Sequence, residues 1–277
     1  MEPRAAAPYS AAMTQTITFG DHLRTWRQRR RLSQMELALD ADISTRHLSF
    51  IETGRSVPSR EMVLRLAEQL AVPLRERNVL LVAAGYAPVF QERALDDPAL
   101  AAARQAVEQV LAGHEPFPAL AIDRHWNLIS ANRIAMHLLA GVDPALLEAP
   151  INVLRLSLHP LGIAPRIVNL PEWRDHIFAR LRQQIAATAD AGLVALLAEL
   201  QAYRAPDGMV FRPGHAVPEV AAVIPLQLAS EAGVLSFVGT TMMFGTPVDI
   251  TLSELAIEAF FPADAVTAEA LRQLAAG

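Results

Sequence analysis

Groups able to carry covalent or metal chemistry are scarce in this chain, and their spacing does not suit it. The eight histidines form neither HExxH nor HxxxH, and no histidine pair has metal-ligand spacing with a carboxylate. All 24 basic residues are arginine, which removes Schiff bases, a pyridoxal anchor and a phosphate-loop lysine together. Cysteine is absent, excluding disulfides and thiol nucleophiles and suiting a reducing cytoplasm. Ser236 comes nearest to a nucleophile elbow, but its glycines are not spaced as GxSxG and its surroundings read as a strand. No glycine-rich phosphate loop is present. What remains is hydrogen-bonding chemistry, concentrated in LSQMELALDADISTRHLSFIETG, residues 32–54. Such a set suits recognition of a polar surface better than catalysis of a reaction.

The elements that position those residues follow from local physics. Ser33 and Glu36 are spaced as a capping box, so a helix is predicted to start at Gln34 and stop within residues 40–42. Ile43 buries the turn. Ser44 is a second N-cap, ahead of a helix with Leu48 and Ile51 on one face, and Gly54 ends it. Upstream, Phe19, Leu23 and Trp26 recur at helical spacing; downstream, Ser59 opens a helix with Val63, Leu66, Ala67 and Leu70 inward, and Pro73 suits the start of a fifth. Five short helices with a turn of about three to four residues between the second and third make a helix-turn-helix, whose third helix enters the DNA major groove.

Residues 19–84 resemble the Xre or lambda-repressor-like family through LSQ, ELA, the Ser-Thr-Arg start of the third helix, IETG and the following Pro-Ser. The resemblance implies that Gln34 bonds a DNA phosphate and that Thr45, Arg46 and His47 reach base edges, with Ser44 both cap and phosphate donor. Phe50, one turn on, suits a thymine methyl. Arg55 and Arg60 are phosphate partners by position. For His47 and Phe50 a solvated helix face remains the alternative, while Leu37, Ile43, Leu48, Ile51 and Leu66 read as core. One such unit covers a half-site, so operator binding is expected from a homodimer.

Charge divides the chain. Residues 1–85 carry 12 Arg against 9 acidic residues, whereas residues 86–277 carry 12 Arg against 20, which confines a nucleic-acid contact to the first part. No run approaches the roughly 18 apolar residues of a membrane-spanning helix. The expected division is a disordered tail over 1–18, with Met13 an alternative start, a helix-turn-helix domain over 19–85, a linker over 86–104, an α+β domain over 105–265 and a C-terminal helix over 266–277.

After a helix around residues 99–112, FPALAID and HWNLIS read as an antiparallel hairpin and Asn132 as a helix cap. Two leucine-rich helices over 172–188 and 190–203 follow a loop holding His159. VAAVIPLQL, VLSFVGTTMMF and LAIEAFF are then strand-like. This order gives an antiparallel sheet with helices on one face.

DRHWNLISANRIAMHLL, the block from NVLRLSLHPLG to FARL, and FGTPVDITLSELAIEAFFPAD resemble the MmyB-like ligand-binding domain, a PAS-like domain that accompanies Xre domains in bacterial regulators. The resemblance implies a pocket between sheet and helices, with a long-chain fatty acid or fatty-acyl molecule as effector. Met136, Phe178, Phe237, Met242 and Met243 offer a soft apolar lining, and Arg133 or Arg180 a carboxylate partner. The same residue types also build ordinary cores. Trp126 and Trp173 read as core, and His159 as either a polar handle or a cap for backbone carbonyls. The expected protein is a ligand-responsive transcription regulator without enzymatic activity. The alternative is a DNA-binding regulator whose second domain is a protein-interaction or dimerisation module without a small-molecule ligand.

Overall fold

The computed structural model describes residues 17–204 and 223–276, and the chain divides into two compact units between Val89 and Phe90. Residues 1–16 of the expected tail lie outside the described residues. Thr18 belongs to the fold, because its hydroxyl accepts from the Asp21 amide and the Asp21 carboxylate returns the bond.

In the first unit, α1 (Phe19–Arg29), α2 (Gln34–Asp40), α3 (Thr45–Glu52), α4 (Arg60–Gln69) and α5 (Leu74–Ala83) form an all-α bundle. The starts of α2, α3 and α4 are fixed by Ser33, Ser44 and Ser59, each accepting a backbone N–H from the first turn. The Ser33–Glu36 capping box is present. Residues 41–44 make the turn between α2 and α3, with Asp42 in the left-handed region at φ 54°. Gly54, at φ 71°, terminates α3, and the Arg55 N–H reaches back to the Phe50 carbonyl at 2.8 Å. Leu23, Leu37, Leu48, Ile51, Leu66 and Leu70 are fully buried, while Ile43 packs half-buried at their edge. Each fully buried leucine or isoleucine stabilises the unit by about 1.5–3 kcal/mol.

Helix α1 meets the end of α3 backbone to backbone. A Cβ on Gly20 would stand 2.5 Å from the Glu52 carbonyl oxygen and 2.9 Å from that of Ile51. Alanine gains up to about 1 kcal/mol over glycine within a helix, less than the penalty of pushing apart two backbones. Gly20→Ala is expected to destabilise the first unit by about 1–3 kcal/mol, checked by urea denaturation.

The second unit is α+β. Strands β1 (Ala119–Ile122), β2 (Leu128–Ala131), β3 (Leu226–Ser230), β4 (Gly233–Met243) and β5 (Ala256–Pro262) form one antiparallel sheet in the order β2-β1-β5-β4-β3. The expected hairpin is β1 and β2. Its turn is organised by the Asp123 carboxylate, which accepts the His125 and Asn127 amides at 2.8 Å, and it places Trp126 at φ 68°. Residues 220–222 of VAAVIPLQL lie outside the described residues, and β3 begins at Leu226.

Around the sheet lie α6 (Ala101–Gly113), α7 (Arg133–His137), α8 (Val153–Leu158), α9 (Leu170–Thr188), α10 (Ala191–Ala202), α11 (Ile250–Ser253) and α12 (Ala265–Ala276). Alternation along the strands sorts the faces. Ile122, Leu228, Leu235 and Phe237 join α9 and α10 in the main core, whereas Ala119, Ala121, Ile257 and Ala259 meet Val107 and Leu111 of α6. Most helices thus share one face, and α6 covers part of the other. Helix α8 lies where a loop was expected: Leu154, Leu156 and Leu158 alternate as in a strand, but Asn152 caps the Leu154 and Arg155 amides and starts a helical turn.

The stretch 86–104, expected as a linker, is held at both ends. Tyr86 donates its hydroxyl to the Pro58 carbonyl in the first unit, and Arg93 pairs with buried Asp249 at 2.9 Å in the second. Helix α12 likewise belongs to the second unit, for Leu271 is fully buried and the Thr267 hydroxyl accepts the Ser236 amide. No helix among the described residues is long and apolar enough to cross a membrane.

Candidate DNA interface and ligand cavity

The exposed side of α3 collects most of the residues proposed to touch DNA. Thr45 and Arg46 are exposed and His47 and Phe50 half-exposed, while the Ser44 hydroxyl accepts the His47 amide at 3.1 Å. The Arg46 guanidinium sits 5.3 Å from the Phe50 ring centre and that of Arg55 5.9 Å from it, so Phe50 serves as a platform that orients two cations. Arg60 is exposed at the first position of α4.

Behind this face stands a residue the sequence reading left without a role. Glu52 is 3% exposed, and its carboxylate accepts two hydrogen bonds from the Arg27 guanidinium, at 2.6 and 2.9 Å, and one from the Gln34 amide at 2.7 Å. One carboxylate therefore ties α3 to α1 and to the first turn of α2. The signal was present: Glu52 follows Leu48 by four residues and so lies on the apolar stripe of α3, where a charge demands a partner.

Burial raises the Glu52 carboxyl, and the Arg27 and Gln34 hydrogen bonds with the arginine charges outweigh it, holding the group below its ordinary value of 4.5. A carboxylate depressed in the folded state contributes stability above its unfolded pKa and loses it as pH falls through the folded one. The first unit is thus expected to weaken on acidification below about pH 4.5. Thermal melts from pH 7 to 3 should show a shallower fall in Glu52→Gln than in the parent.

In the second unit a cavity of about 160 Å³ opens between the sheet and α7, α8 and α9. Of the ligand-contact candidates it brings together Met136, Arg180 and Phe237. Four others lie elsewhere. Arg133 is exposed and donates to the Ala275 carbonyl at 2.6 Å. Phe178 is buried in the main core, with the Arg174 guanidinium 4.6 Å from its ring centre. Met242 and Met243 are exposed at the end of β4, beside Val107 and Val110 of α6 and away from the cavity. Met242 pairs there with Ile257 and Met243 with Ala256, a position that side-chain type alone could not give.

Other cavity residues had no assigned ligand role. Trp126 and Trp173, read as core, line the wall, their indole N–H groups donating to Gln184 and Ser157 at 2.9 Å. Glu258 and His176 line it too. Glu258 faces α9 because β5 alternates, and Arg180 clamps both its carboxylate oxygens at 2.9 and 3.0 Å. A lone glutamate within LAIEAFF was the available sign of a buried partner. Burial and the neighbouring Arg180 hold the His176 imidazole below its ordinary value, which favours its neutral form. His159 sits outside the cavity lining; its ring accepts the Leu161 amide at 3.1 Å, and Asn132 caps α7 through the Ala135 amide.

Two family models match the chain: a helix-turn-helix domain over residues 18–80, and the MmyB-like transcription regulator ligand binding domain over residues 103–274. A search of curated proteins finds no match. The bounds of the two models follow the bundle and the sheet domain just described. The second spans more than half of the chain, which therefore belongs to the MmyB-like transcription regulators, with a helix-turn-helix domain followed by a ligand-binding domain.

Proposed function

We propose that this protein is a cytoplasmic repressor or activator that binds operator DNA as a homodimer and changes its affinity when an apolar, chain-like effector enters the second unit. The observation that carries the DNA half is the exposed start of α3: Thr45 and Arg46 project from a helix whose hidden side is locked by Glu52. Arg46 reads a base edge, Thr45 and His47 flank it, and Phe50 packs on a thymine methyl. Ser44, Arg55 and Arg60 neutralise or bond phosphates. Gln34 directs one amide N–H to Glu52, which orients the second toward a phosphate.

Support for the ligand half comes from the cavity lining, which is mostly aliphatic and aromatic, with Ser157, His176, Arg180 and Glu258 as its polar side chains, a surface suited to a fatty-acyl chain. Two readers on one operator must be spaced by about a helical turn. An effector acts by its differential affinity for dimer arrangements that meet or miss this spacing.

Selection of bound sequences from a random DNA pool, with and without a cellular lipid extract, tests the whole reading. Enrichment of a two-fold symmetric site whose recovery changes with lipid supports it; enrichment of no sequence overturns it. In the same assay Arg46→Ala is expected to lose about 1–3 kcal/mol of operator binding and to relax preference at one position per half-site. Full discrimination in that variant removes base reading from Arg46. Absence of any extractable lipid, with thermal stability unmoved by added acyl compounds, favours a protein-interaction role for the second unit.

A further inference from the structure

The charged groups lining the cavity already neutralise each other. Arg180 is the one arginine among the described residues lining the cavity. Its two terminal nitrogens are directed at the two Glu258 carboxylate oxygens, and one of them also at the Thr241 hydroxyl at 3.0 Å. The guanidinium face lies 4.7 Å from the centre of the Trp126 ring. Glu258, 4% exposed, takes a further hydrogen bond from the Thr241 hydroxyl at 2.9 Å. Strand register fixes this grouping, since Glu258 pairs with Leu120 of β1 on one side and Thr241 of β4 on the other.

From this geometry we infer that the effector is an apolar chain ending in an uncharged hydrogen-bonding head of the amide, ester or alcohol type, rather than a free carboxylate or an amine. The inference rests on the ligand-binding reading of the cavity and names its head-group class. A ligand carboxylate approaching Arg180 also comes up against the Glu258 carboxylate bonded to it, so repulsion offsets much of the attraction while the anion still loses water. Displacing Glu258 offers no escape, because that carboxylate would be left buried and unpaired. An amine meets the reverse of the same problem.

A neutral head has partners without disturbing the pair. His176 lines the cavity and stacks on Trp173 with ring centres 5.4 Å apart, and in the neutral form that burial favours it offers one donor and one acceptor. The Ser157 hydroxyl, which accepts the Trp173 indole N–H, has its own proton to give. These two groups and the closed Arg180–Glu258 pair form a polar set matched to a dipole instead of a net charge.

Decanamide and decanoate, alike in chain length and head shape but differing in charge, separate the possibilities when titrated calorimetrically into the full-length protein at pH 7.5. Decanamide is expected to bind at least tenfold more tightly. Glu258→Gln releases Arg180 from its internal anion and is expected to raise decanoate affinity at least tenfold, while Arg180→Gln combined with Glu258→Gln abolishes that gain and keeps decanamide binding. Decanoate binding to the parent protein as tightly as decanamide overturns the head-group assignment and leaves the cavity reading standing. Binding of neither compound overturns the ligand reading and this inference with it. The parent comparison decides the matter even where a variant folds poorly.

Discussion

Glu52→Ala is expected to lower the stability of the first unit by about 3–5 kcal/mol, the loss typical when one partner of a buried ion pair is removed. Arg27 is only 11% exposed at its side chain and would keep its charge without the Glu52 anion, and the Gln34 amide would lose its bond to that carboxylate. For a domain of this size the loss corresponds to roughly 4–8 °C per kcal/mol, so the variant's first unit is expected to melt about 12–40 °C below the parent's. Calorimetry on the full chain should show the first unit's transition displaced and the second's in place. Replacing both partners, Arg27→Met with Glu52→Leu, removes the stranded charge and is expected to recover most of the stability. Operator affinity should recover less, because Gln34 remains untethered. A single mutant within 1 kcal/mol of the parent would show that the carboxylate is dispensable to the bundle.

The counterpart in the second unit is Phe237→Ala, with an expected loss of about 3–5 kcal/mol. Phe237 is fully buried at the middle of β4, meets Phe260 edge-on with ring centres 6.4 Å apart, and forms part of the cavity wall. Truncation removes the transfer free energy of the ring and leaves a void continuous with the cavity. The second transition should fall while the first stays, and the response of DNA binding to lipid should vanish. Phe237→Leu, nearer in volume, is expected to cost less than half as much. An unchanged second transition in the alanine variant would mean that the sheet and α9 close over the gap.

Much of this architecture was legible in the sequence, and the reasons are local. The serine caps before α2, α3 and α4, the glycine after α3 and the apolar spacing of Leu48 and Ile51 each act within a few residues. The strands announced themselves by branched and aromatic runs. Helix α8 did not, because its leucines alternate and only the Asn152 cap argues for a turn. Long-range pairings were the other gap. Glu52 with Arg27 is separated by 25 residues and Arg180 with Glu258 by 78, and no periodicity reports a partner at such distance. The exposed start of α3 was readable because it is contiguous. Candidates for the cavity were readable in the sequence but its membership was not: Met136, Arg180 and Phe237 converge on it, whereas Met242 and Met243 sit at the end of β4 beside α6.

Helix α3 carries two sets of residues that do not share a side. Glu52, Leu48 and Ile51 face inward, and Gly20 admits the helix only because it has no side chain, whereas Thr45 and Arg46 are exposed. Under the proposed reading of α3, changes of the outward pair alter the DNA address at little thermodynamic risk, and changes of the inward set are lost through unfolding before any new address can be tried. The fold thereby keeps an evolvable vocabulary on a frozen frame: descendants of this sequence can drift to new operators by one or two exposed exchanges, and an engineer can retarget the sensor in the same way without redesigning what it senses.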